Sequence, residues 1–379
     1  MSLPSGLSDQ QSDLALMHRL RLPVAIIFAL AVGFVVTAIF SKEPVRAFII
    51  LITGALPDIQ WSETSGWHIM RVVRFCSALE DAITLTFLGL AIAIPFRARQ
   101  FSLGADGQMF LSALMATVVS LYLPGPGFLV LPAAFCAAIF TGFLWGLLPG
   151  LLKARYQANE IVTTLMLNLI AIQFFRFVIA VYLRDPNAGF LASAVIPTAT
   201  ILPSLIPQTN LSAMIFMVPV VAAAAWWWLN RTTPGYEIRT VGEAPDFAKQ
   251  AGMPVHRAII LSMATGGIFA AFAGIHISNA LLKRLPVDMA PGLGFDGLVV
   301  ALLARNDPKN IPLSAFFYAY LRTGAQAMER GSDVSREIVM LIQAFMILFI
   351  VADRLLPIAF PQLIRSTLFR FGKLRGVKQ

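Results

Sequence analysis

Ten apolar stretches separated by short polar segments dominate the hydropathy pattern of the chain. A helix that crosses a bilayer needs about 20 mostly apolar residues. The candidate spans are Pro23–Phe40, Phe75–Phe96, Leu103–Tyr122, Phe128–Leu148, Glu160–Leu183, Leu211–Leu229, Ala258–Ala280, Phe295–Leu303, Ile311–Met328 and Glu337–Ala352. Runs such as FLVLPAAFCAAIFTGFLWGLL lack the alternation of polar and apolar residues that barrel strands require. The pattern therefore predicts an all-α polytopic membrane protein with about ten transmembrane helices.

Two of these stretches need separate interpretation. Phe295–Leu303 would extend only about 14 Å as a helix, about half of the hydrocarbon thickness, so it is predicted to be a half-helix with its irregular end covered by protein or facing water. Pro23–Phe40 follows Arg19 and Arg21 like a signal peptide, but no small-x-small cleavage site precedes Ser41. We expect it to be retained as the first span.

Composition supports a membrane protein. Of the 379 residues, 58% are hydrophobic and only 13% are charged, whereas about a quarter are charged in a soluble protein. The soluble, fibrous, disordered and nucleic-acid-binding classes are excluded at this step. If residues 1–22 are cytoplasmic, eighteen of the 29 Lys and Arg residues fall on the cytoplasmic side and nine on the other. This bias predicts a transmembrane domain over residues 23–352, a basic cytoplasmic tail over residues 353–379, and a net charge of +9 that needs no polyanion partner.

A short motif occurs twice in the chain. Leu103–Gly107 reads LGADG and Leu293–Gly297 reads LGFDG, and in both halves a Glu-Ile-Val sequence follows, at Glu160 and at Glu337. The first motif begins a span that runs outward and the second begins a span that runs inward. This arrangement predicts two inverted five-helix repeats whose broken helices meet near the membrane midplane.

The residues of the motif indicate how such a junction is built. Gly104 and Gly294 allow a close backbone approach. Asp106 and Asp296 can cap the N–H groups of the helix that restarts after each of them. Whether the two aspartates also contact a substrate stays open at this point. Two roles also stay open for the charged residues within spans, Arg176, Arg322, Glu80 and Asp81. They either pair with neighbouring helices or lie at the mouth of a transport pathway.

A polar loop over residues 230–257 separates the sixth and seventh spans. Pro245 is suited to the first turn of a helix and Gly252 to the position just past its end, which predicts a short helix over Pro245–Ala251 on the cytoplasmic face. Connectors are ordinarily shorter than this one. The loop is therefore either an inert connector or a docking surface.

Sequence signs of catalysis are missing. The chain has no G-x-x-x-x-G-K-[ST] phosphate loop, no pattern of nucleophile and base, and no histidine spacing typical of metal ligands. His276 is interpreted as a packed helix residue, and Cys76 and Cys136 make no disulfide framework. We expect that the chain is not an enzyme and binds no metal or cofactor, so any ATP and magnesium belong to another chain.

Four segments resemble a known family, the permease subunits of bacterial ABC importers for simple sugars and nucleosides, within the wider group that includes branched-chain amino acid permeases. They are FRARQFSLGADGQ (96–108), ANEIVTTLMLNLIA (158–171), TPGYEIRTVGEAPDFAKQAGM (233–253) and GLGFDGLVVALLARNDP (292–308). Ser102, Asp106 and Arg99 depart from the usual asparagine, glutamate and glycine. The resemblance extends from about Phe75 to Ala352.

The resemblance implies a function and a set of partners. The chain would form the translocation pathway for a nucleoside or simple sugar in the bacterial inner membrane, together with a second permease chain, an ABC ATPase and an extracytoplasmic binding protein. The predicted pathway residues are Gly104, Asp106, Gln108, Asn168, Gly294, Asp296 and Gln326. The predicted ATPase-coupling residues are Gly242, Glu243, Ala244, Pro245, Ala248 and Gly252. The alternatives are a stand-alone ion-coupled transporter, which also uses inverted repeats, and a branched-chain amino acid as substrate.

Overall fold

The computed structural model describes residues 30–62, 66–70, 72–207, 209–289 and 292–351. The predicted N-terminal segment (1–22), the start of the first predicted span and the tail (353–379) lie outside the described residues.

The described residues are almost entirely helical. The α-helices are α1 Leu30–Phe40, α2 Pro44–Thr53, α3 Val72–Arg97, α4 Ala105–Tyr122, α5 Gly127–Tyr156, α6 Glu160–Val181, α7 Met217–Arg231, α8 Thr233–Glu243, α9 Pro245–Gln250, α10 Val255–Ile275, α11 Leu293–Leu303, α12 Ile311–Gly331 and α13 Arg336–Val351. Short 3₁₀ turns cover Thr198–Thr200 and Ala213–Phe216, and a π-helix, His276–Leu282, continues α10. Two antiparallel strands, β1 Asp58–Ser62 and β2 Gly66–Met70, pair with Ile59 opposite Ile69.

Each predicted span overlaps a helix, and the chain is a multi-pass membrane protein. Five helical segments of the described residues are long and apolar enough to cross a bilayer: Val72–Arg97, Gly127–Tyr156, Glu160–Val181, Ala213–Arg231 and Val255–Leu282. The half-helix expected at Phe295–Leu303 is α11, which has 11 residues. The count of ten transmembrane helices and their arrangement in two inverted repeats stay predictions.

Three elements were not predicted, namely α2, the β1–β2 hairpin and α8. The apolar run of α2 has only 10 residues, too few to cross a bilayer, so hydropathy gave no reason to expect a helix there. In α8 the apolar positions Ile238 and Val241, three residues apart, are buried on one side of an otherwise polar segment. Two apolar positions give too weak a helical periodicity to distinguish α8 from a polar loop in the sequence.

Residues 55–323 form one compact unit in which α3 is central. In the most apolar window of α3, 83% of the residues are buried, against 22% for α5, which is therefore free to face lipid. α10 packs against α3, α4 and α5. The crossing of α5 and α10 depends on glycine, because a Cβ on Gly267 would overlap the carbonyl of Gly142.

Residues 1–54 and 324–379 form a second compact unit. In its described part, Gly33 of α1 contacts Met346 of α13, and Gly324 of α12 lies against the backbone carbonyl of Leu51 in α2. Asp333, between α12 and α13, accepts hydrogen bonds of 2.7 Å from the Ser41 hydroxyl and from the backbone N–H of Lys42.

Candidate functional site

The two LG-x-DG motifs meet directly in the structure. α4 begins at Ala105 and α11 at Leu293, and neither helix has a side-chain cap on its own N-terminus. The Asp106 carboxylate instead accepts a hydrogen bond of 2.6 Å from the backbone N–H of Gly294, in the first turn of α11. The prediction that each aspartate caps its own helix is therefore wrong, because Asp106 caps the helix of the other motif.

The close approach at this junction occurs at Gly294 and not at Gly104. A Cβ on Gly294 would lie 2.8 Å from Cγ of Asp106, whereas a Cβ on Gly104 would meet Thr164 at an ordinary 3.5 Å. Gly104 also has φ −92°, which any residue adopts. The expectation that both glycines are needed for contact holds for Gly294 alone.

The second aspartate has different partners. Asp296 accepts hydrogen bonds from the hydroxyl of Tyr318, at 2.5 Å, and from Nη1 of Arg322, at 3.1 Å, both on α12. The side chains of Asp296 and Arg322 are 27% and 29% exposed, so their ion pair is only partly shielded from solvent. Asp106 thus joins two helix starts that are 188 positions apart, whereas Asp296 joins α11 to the next helix along the chain, α12.

The α6 segment holds the start of α4. Its N-cap, Asn159, accepts from the N–H of Ile161 at 3.0 Å, and Glu160 pairs with Lys153 at the end of α5 at 2.8 Å. The hydroxyl of Thr164 accepts from the N–H of Leu103. One turn further along α6, the buried Asn168 lies against Gly107 of α4. A Cβ added to Gly107 would lie 3.0 Å from Oδ1 of Asn168.

The structure therefore groups most, but not all, of the predicted pathway residues. Asp106 and Gly294 touch, Asp296 lies in the first turn of α11, and Gly104 and Asn168 lie along the contact between α4 and α6. Gln108 is buried beside Gly146 of α5 instead. Gln326 belongs to the other compact unit and is exposed. Their part in a pathway stays a prediction.

A buried polar cluster beside this junction was not predicted as a unit. His276 is fully buried, as expected of a packed helix residue, and its Nε2 lies 3.0 Å from the Glu80 carboxylate. Its Nδ1 lies 2.8 Å from the Thr84 hydroxyl, and Ser212 donates its N–H to Glu80. The spacing of Glu80 and Thr84, one helical turn apart in an apolar span, is the signal that could have indicated the cluster.

Two other polar side chains within spans have packing partners. Asn279 donates to the Ser120 hydroxyl and to the Thr200 carbonyl, at 3.0 and 3.1 Å, which makes it a helix-packing amide. Arg176 forms an ion pair of 3.0 Å with Asp288, so it joins α6 to the segment before α11. No group of three or more His, Cys, Asp or Glu residues suited to a metal ion occurs in the part of the chain that the structure describes.

The polar loop is an ordered helix pair. The helix expected at Pro245–Ala251 is α9, Pro245–Gln250. Ile238 and Val241 of α8 and Ala248 of α9 form a buried cluster with Ala98, which follows α3, and with Ala258 of α10. The loop is thus fixed to two long helices.

Only some of the predicted coupling residues are accessible. Glu243, Ala244, Pro245 and Gly252 are exposed. Gly242 and Ala248 are buried, and a Cβ on Gly242 would overlap the carbonyl of Arg97. Phe247, with 58% of its surface exposed, was missed by the sequence reasoning. A solvent-exposed phenylalanine on the outer side of α9 is a better candidate for a docking contact than the buried Ala248.

Comparison with known proteins gives consistent matches. The family described as the permease component of the branched-chain amino acid transport system matches residues 75–351. A glucose ABC transporter permease protein of Haloferax volcanii is 30% identical, over 87% of this chain and 86% of its own length. A guanosine ABC transporter permease protein of Bacillus subtilis is also 30% identical, over 89% and 94% of the two chains. A nucleoside ABC transporter permease protein of Lactococcus lactis is 25% identical, over 89% and 92%. No solved structure matches at a significant level.

Proposed function

The chain belongs to the family of permease components of branched-chain amino acid transport systems, and we infer from this membership that it is the membrane-spanning permease subunit of an ABC importer for a nucleoside or a simple sugar. The observation that carries this function is the family match, which runs from α3 to the last residue of α13. The relatives named for glucose, guanosine and nucleosides support these substrates more than a branched-chain amino acid.

The partners follow from the division of labour in such importers. We propose that a separate ATPase subunit hydrolyses ATP, that an extracytoplasmic binding protein delivers the substrate, and that a second related permease chain completes the pathway. We propose further that the chain lies in the bacterial inner membrane with both termini in the cytoplasm. The excess of Lys and Arg on the predicted cytoplasmic side supports that orientation.

We propose that the contact between the starts of α4 and α11 lies on the translocation pathway. Half-helix ends inside a membrane need partners for their exposed N–H groups. Here one such partner is a carboxylate from the other motif, Asp106. A substrate passing this junction would meet polar groups that a continuous helix lacks.

The α8–α9 pair is the proposed site of coupling to the ATPase. Its buried side is anchored to α10 and to the end of α3 through Ala98, so a push on the outer side of α9 reaches two long helices. The ATPase can shift the permease between outward-open and inward-open forms only if its docking energy differs between them. The exposed Phe247 offers an apolar contact for this docking.

Reconstituted uptake tests the function. The chain, purified with its ATPase and binding-protein partners, should import labelled guanosine or glucose only when ATP is present, and uptake should survive ionophores that collapse ion gradients. A catalytically inactive ATPase in the same complex is the matched control. Uptake that needs an ion gradient and ignores ATP would instead establish the stand-alone transporter.

Cysteine accessibility tests the orientation. Single cysteines at the exposed Glu243, beside the buried Gly242, and in the tail after Arg354 should react only from the cytoplasmic side, and cysteines at Pro126 and Arg330 only from outside. If positions 243 and 126 react from the same side, the ten-span arrangement is wrong.

A further inference from the structure

A cavity beside the motif junction is the strongest unassigned feature of residues 55–323. It has a volume of about 190 Å³ and lies between α3, the π-helix and the segment before α11. Its polar lining includes Asp81, Thr84, Asp288 and Arg322, and Leu281 and Met289 belong to its apolar lining. Asp81 and Arg322 stand out in the sequence as charged residues within predicted spans, with no ligand assigned to them.

Asp81 is the unusual member of this lining. It makes no hydrogen bond and no ion pair with the described residues, although the charges of Arg322 and Asp296 act on it. Its neighbour Glu80 is held by His276 and Ser212. A carboxylate in a membrane-embedded helix is costly unless it is paired or serves a function. Asp81 thus presents acceptor oxygens to the cavity without a partner of its own.

Two other polar residues of the lining, Arg322 and Thr84, are held by neighbouring groups. Arg322 uses Nη1 for Asp296, and its other N–H donors form no hydrogen bond with described residues. The Thr84 hydroxyl is held by the buried ring of His276, at the start of the π-helix. The cavity thus combines the acceptor oxygens of Asp81 with the hydroxyl of Thr84 and the N–H donors of Arg322, both held by neighbouring groups, and this set of polar groups can recognise a hydroxylated ligand.

We propose that this cavity is a binding subsite for one uncharged, polyhydroxylated ring of the transported solute, a hexose or the ribose of a nucleoside. Asp81 accepts hydrogen bonds from ring hydroxyls, and Arg322 donates to a hydroxyl or to the ring oxygen. Leu281 and Met289 cover the apolar C–H face of the ring. This proposal rests on the proposed function and names the groups that would recognise the substrate.

Charge and size both select this class of ligand. Arg322 is paired with Asp296 and Asp288 with Arg176, so Asp81 is the carboxylate of the lining that has no ion-pair partner among the described residues, and its charge would repel a phosphate or a substrate carboxylate. Pockets for drug-sized ligands are larger, about 300–1,000 Å³. The cavity therefore suits a single ring, with any nucleobase lying outside it.

Transport selectivity tests the proposal. The reconstituted complex should carry Asp81→Ala or, as matched control, Asp185→Ala, which removes a carboxylate from a loop outside the cavity. Uptake is measured for guanosine against 2′,3′-dideoxyguanosine and for glucose against 2-deoxyglucose. Because Asp81 has no hydrogen bond to lose, the variant should keep the thermal stability of the wild type.

The expected result is a loss of hydroxyl discrimination. A site built to hydrogen-bond a hydroxyl rejects analogues that lack it, so Asp81→Ala should lower the wild-type preference by about tenfold or more. Uptake of the deoxy analogues should stay close to that of the wild type, and Asp185→Ala should keep the full preference. If Asp81→Ala lowers uptake of both members of each pair equally, or of neither, the proposal is overturned.

Thiol labelling separates this proposal from the proposed function. Leu281→Cys in a Cys136→Ser background places a reactive group on the apolar side of the cavity, and Leu205→Cys serves as an exposed control; Cys76 is buried. Ribose or glucose should slow labelling of position 281 in the assembled complex but not of position 205, and ribose 5-phosphate and leucine should slow neither. Failure of the wild type to import any nucleoside or sugar refutes the function alone. Absence of protection by ribose and glucose, or equal protection by ribose 5-phosphate, refutes the subsite.

Discussion

Replacing Gly294 with alanine is the sharpest test of the junction between the two motifs. The added Cβ would lie 2.8 Å from Cγ of Asp106 and 3.0 Å from both its Oδ1 and its backbone nitrogen. These atoms are too close, and two of them belong to the carboxylate that accepts the N–H of Gly294 itself. The carboxylate has to turn away, and the hydrogen bond between the two helix starts is weakened or lost.

The size of the effect can be estimated from two terms. A hydrogen bond to a charged group contributes about 1.5–3 kcal/mol, and overpacking a tight interior costs about 1–3 kcal/mol. The two terms overlap, because rotation of Asp106 relieves the clash at the expense of the hydrogen bond. We therefore expect Gly294→Ala to lower the free energy of unfolding by about 2–4 kcal/mol and to reduce uptake strongly.

Two further variants make this experiment specific. Gly104→Ala is the matched control, since its Cβ meets Thr164 at 3.5 Å and should be tolerated. The double variant Asp106→Ala/Gly294→Ala lacks the carboxylate that blocks the new Cβ at position 294. It should therefore lose less stability than the sum of the losses in Asp106→Ala and Gly294→Ala. Thermal unfolding of the purified complex and uptake by proteoliposomes are the measurements. Wild-type behaviour of Gly294→Ala, or equal damage from Gly104→Ala, would refute the described junction.

Three further predictions concern other contacts. Asp106→Asn should reduce uptake less than Asp106→Ala, because an amide oxygen still accepts the N–H of Gly294; initial uptake rates compare the two. Phe247→Cys should crosslink to a cysteine on the ATPase whereas the buried Ala248→Cys should not, and crosslinking of position 248 alone would contradict the position of α9. The Ser41 hydroxyl and the N–H of Lys42 lower the pKa of Asp333 below 3.8. A lowered pKa stabilises the fold above the ordinary pKa of aspartate, and the contribution disappears as the pH falls through the lowered value, so the difference in Tm between wild type and Asp333→Asn should shrink on acidification.

Sequence reasoning identified the elements that depend on local pattern. The helical spans follow from apolar runs, and α9 follows from Pro245 at its start and Gly252 past its end, where φ is +74°. Both signals lie within a few residues of what they predict. α2 carries the same kind of signal, with Pro44 at its first position and Gly54 just past its end, but its 10 residues are too few for a span and hydropathy alone did not indicate it.

Contacts between distant segments were beyond the sequence. Asp106 and Gly294 are 188 positions apart, and no spacing rule indicates which helix start an aspartate caps. The cavity is harder still, because it draws Asp81, Leu281 and Arg322 from three separate elements. Hydropathy could show that the charges of Asp81 and Arg322 are costly within a span. It could not show that Asp81 lacks a partner while Arg322 has one.

The aspartates of the two motif copies have different hydrogen-bond partners, and this difference suggests how substrate binding is linked to the positions of the helices. If the junction were symmetric, Asp296 would cap the start of α4 as Asp106 caps that of α11. Instead, Thr164 holds the N–H of Leu103, and Asp296 binds Tyr318 and Arg322. The start of α11 is thus fixed to α4 on one side and to α12 on the other, and the α12 contact borders the proposed subsite.

A ligand that draws Arg322 toward the cavity competes with Asp296 for the same guanidinium. Binding then favours whichever arrangement of α11 needs that ion pair least, which is the differential interaction that a change between outward-open and inward-open forms requires.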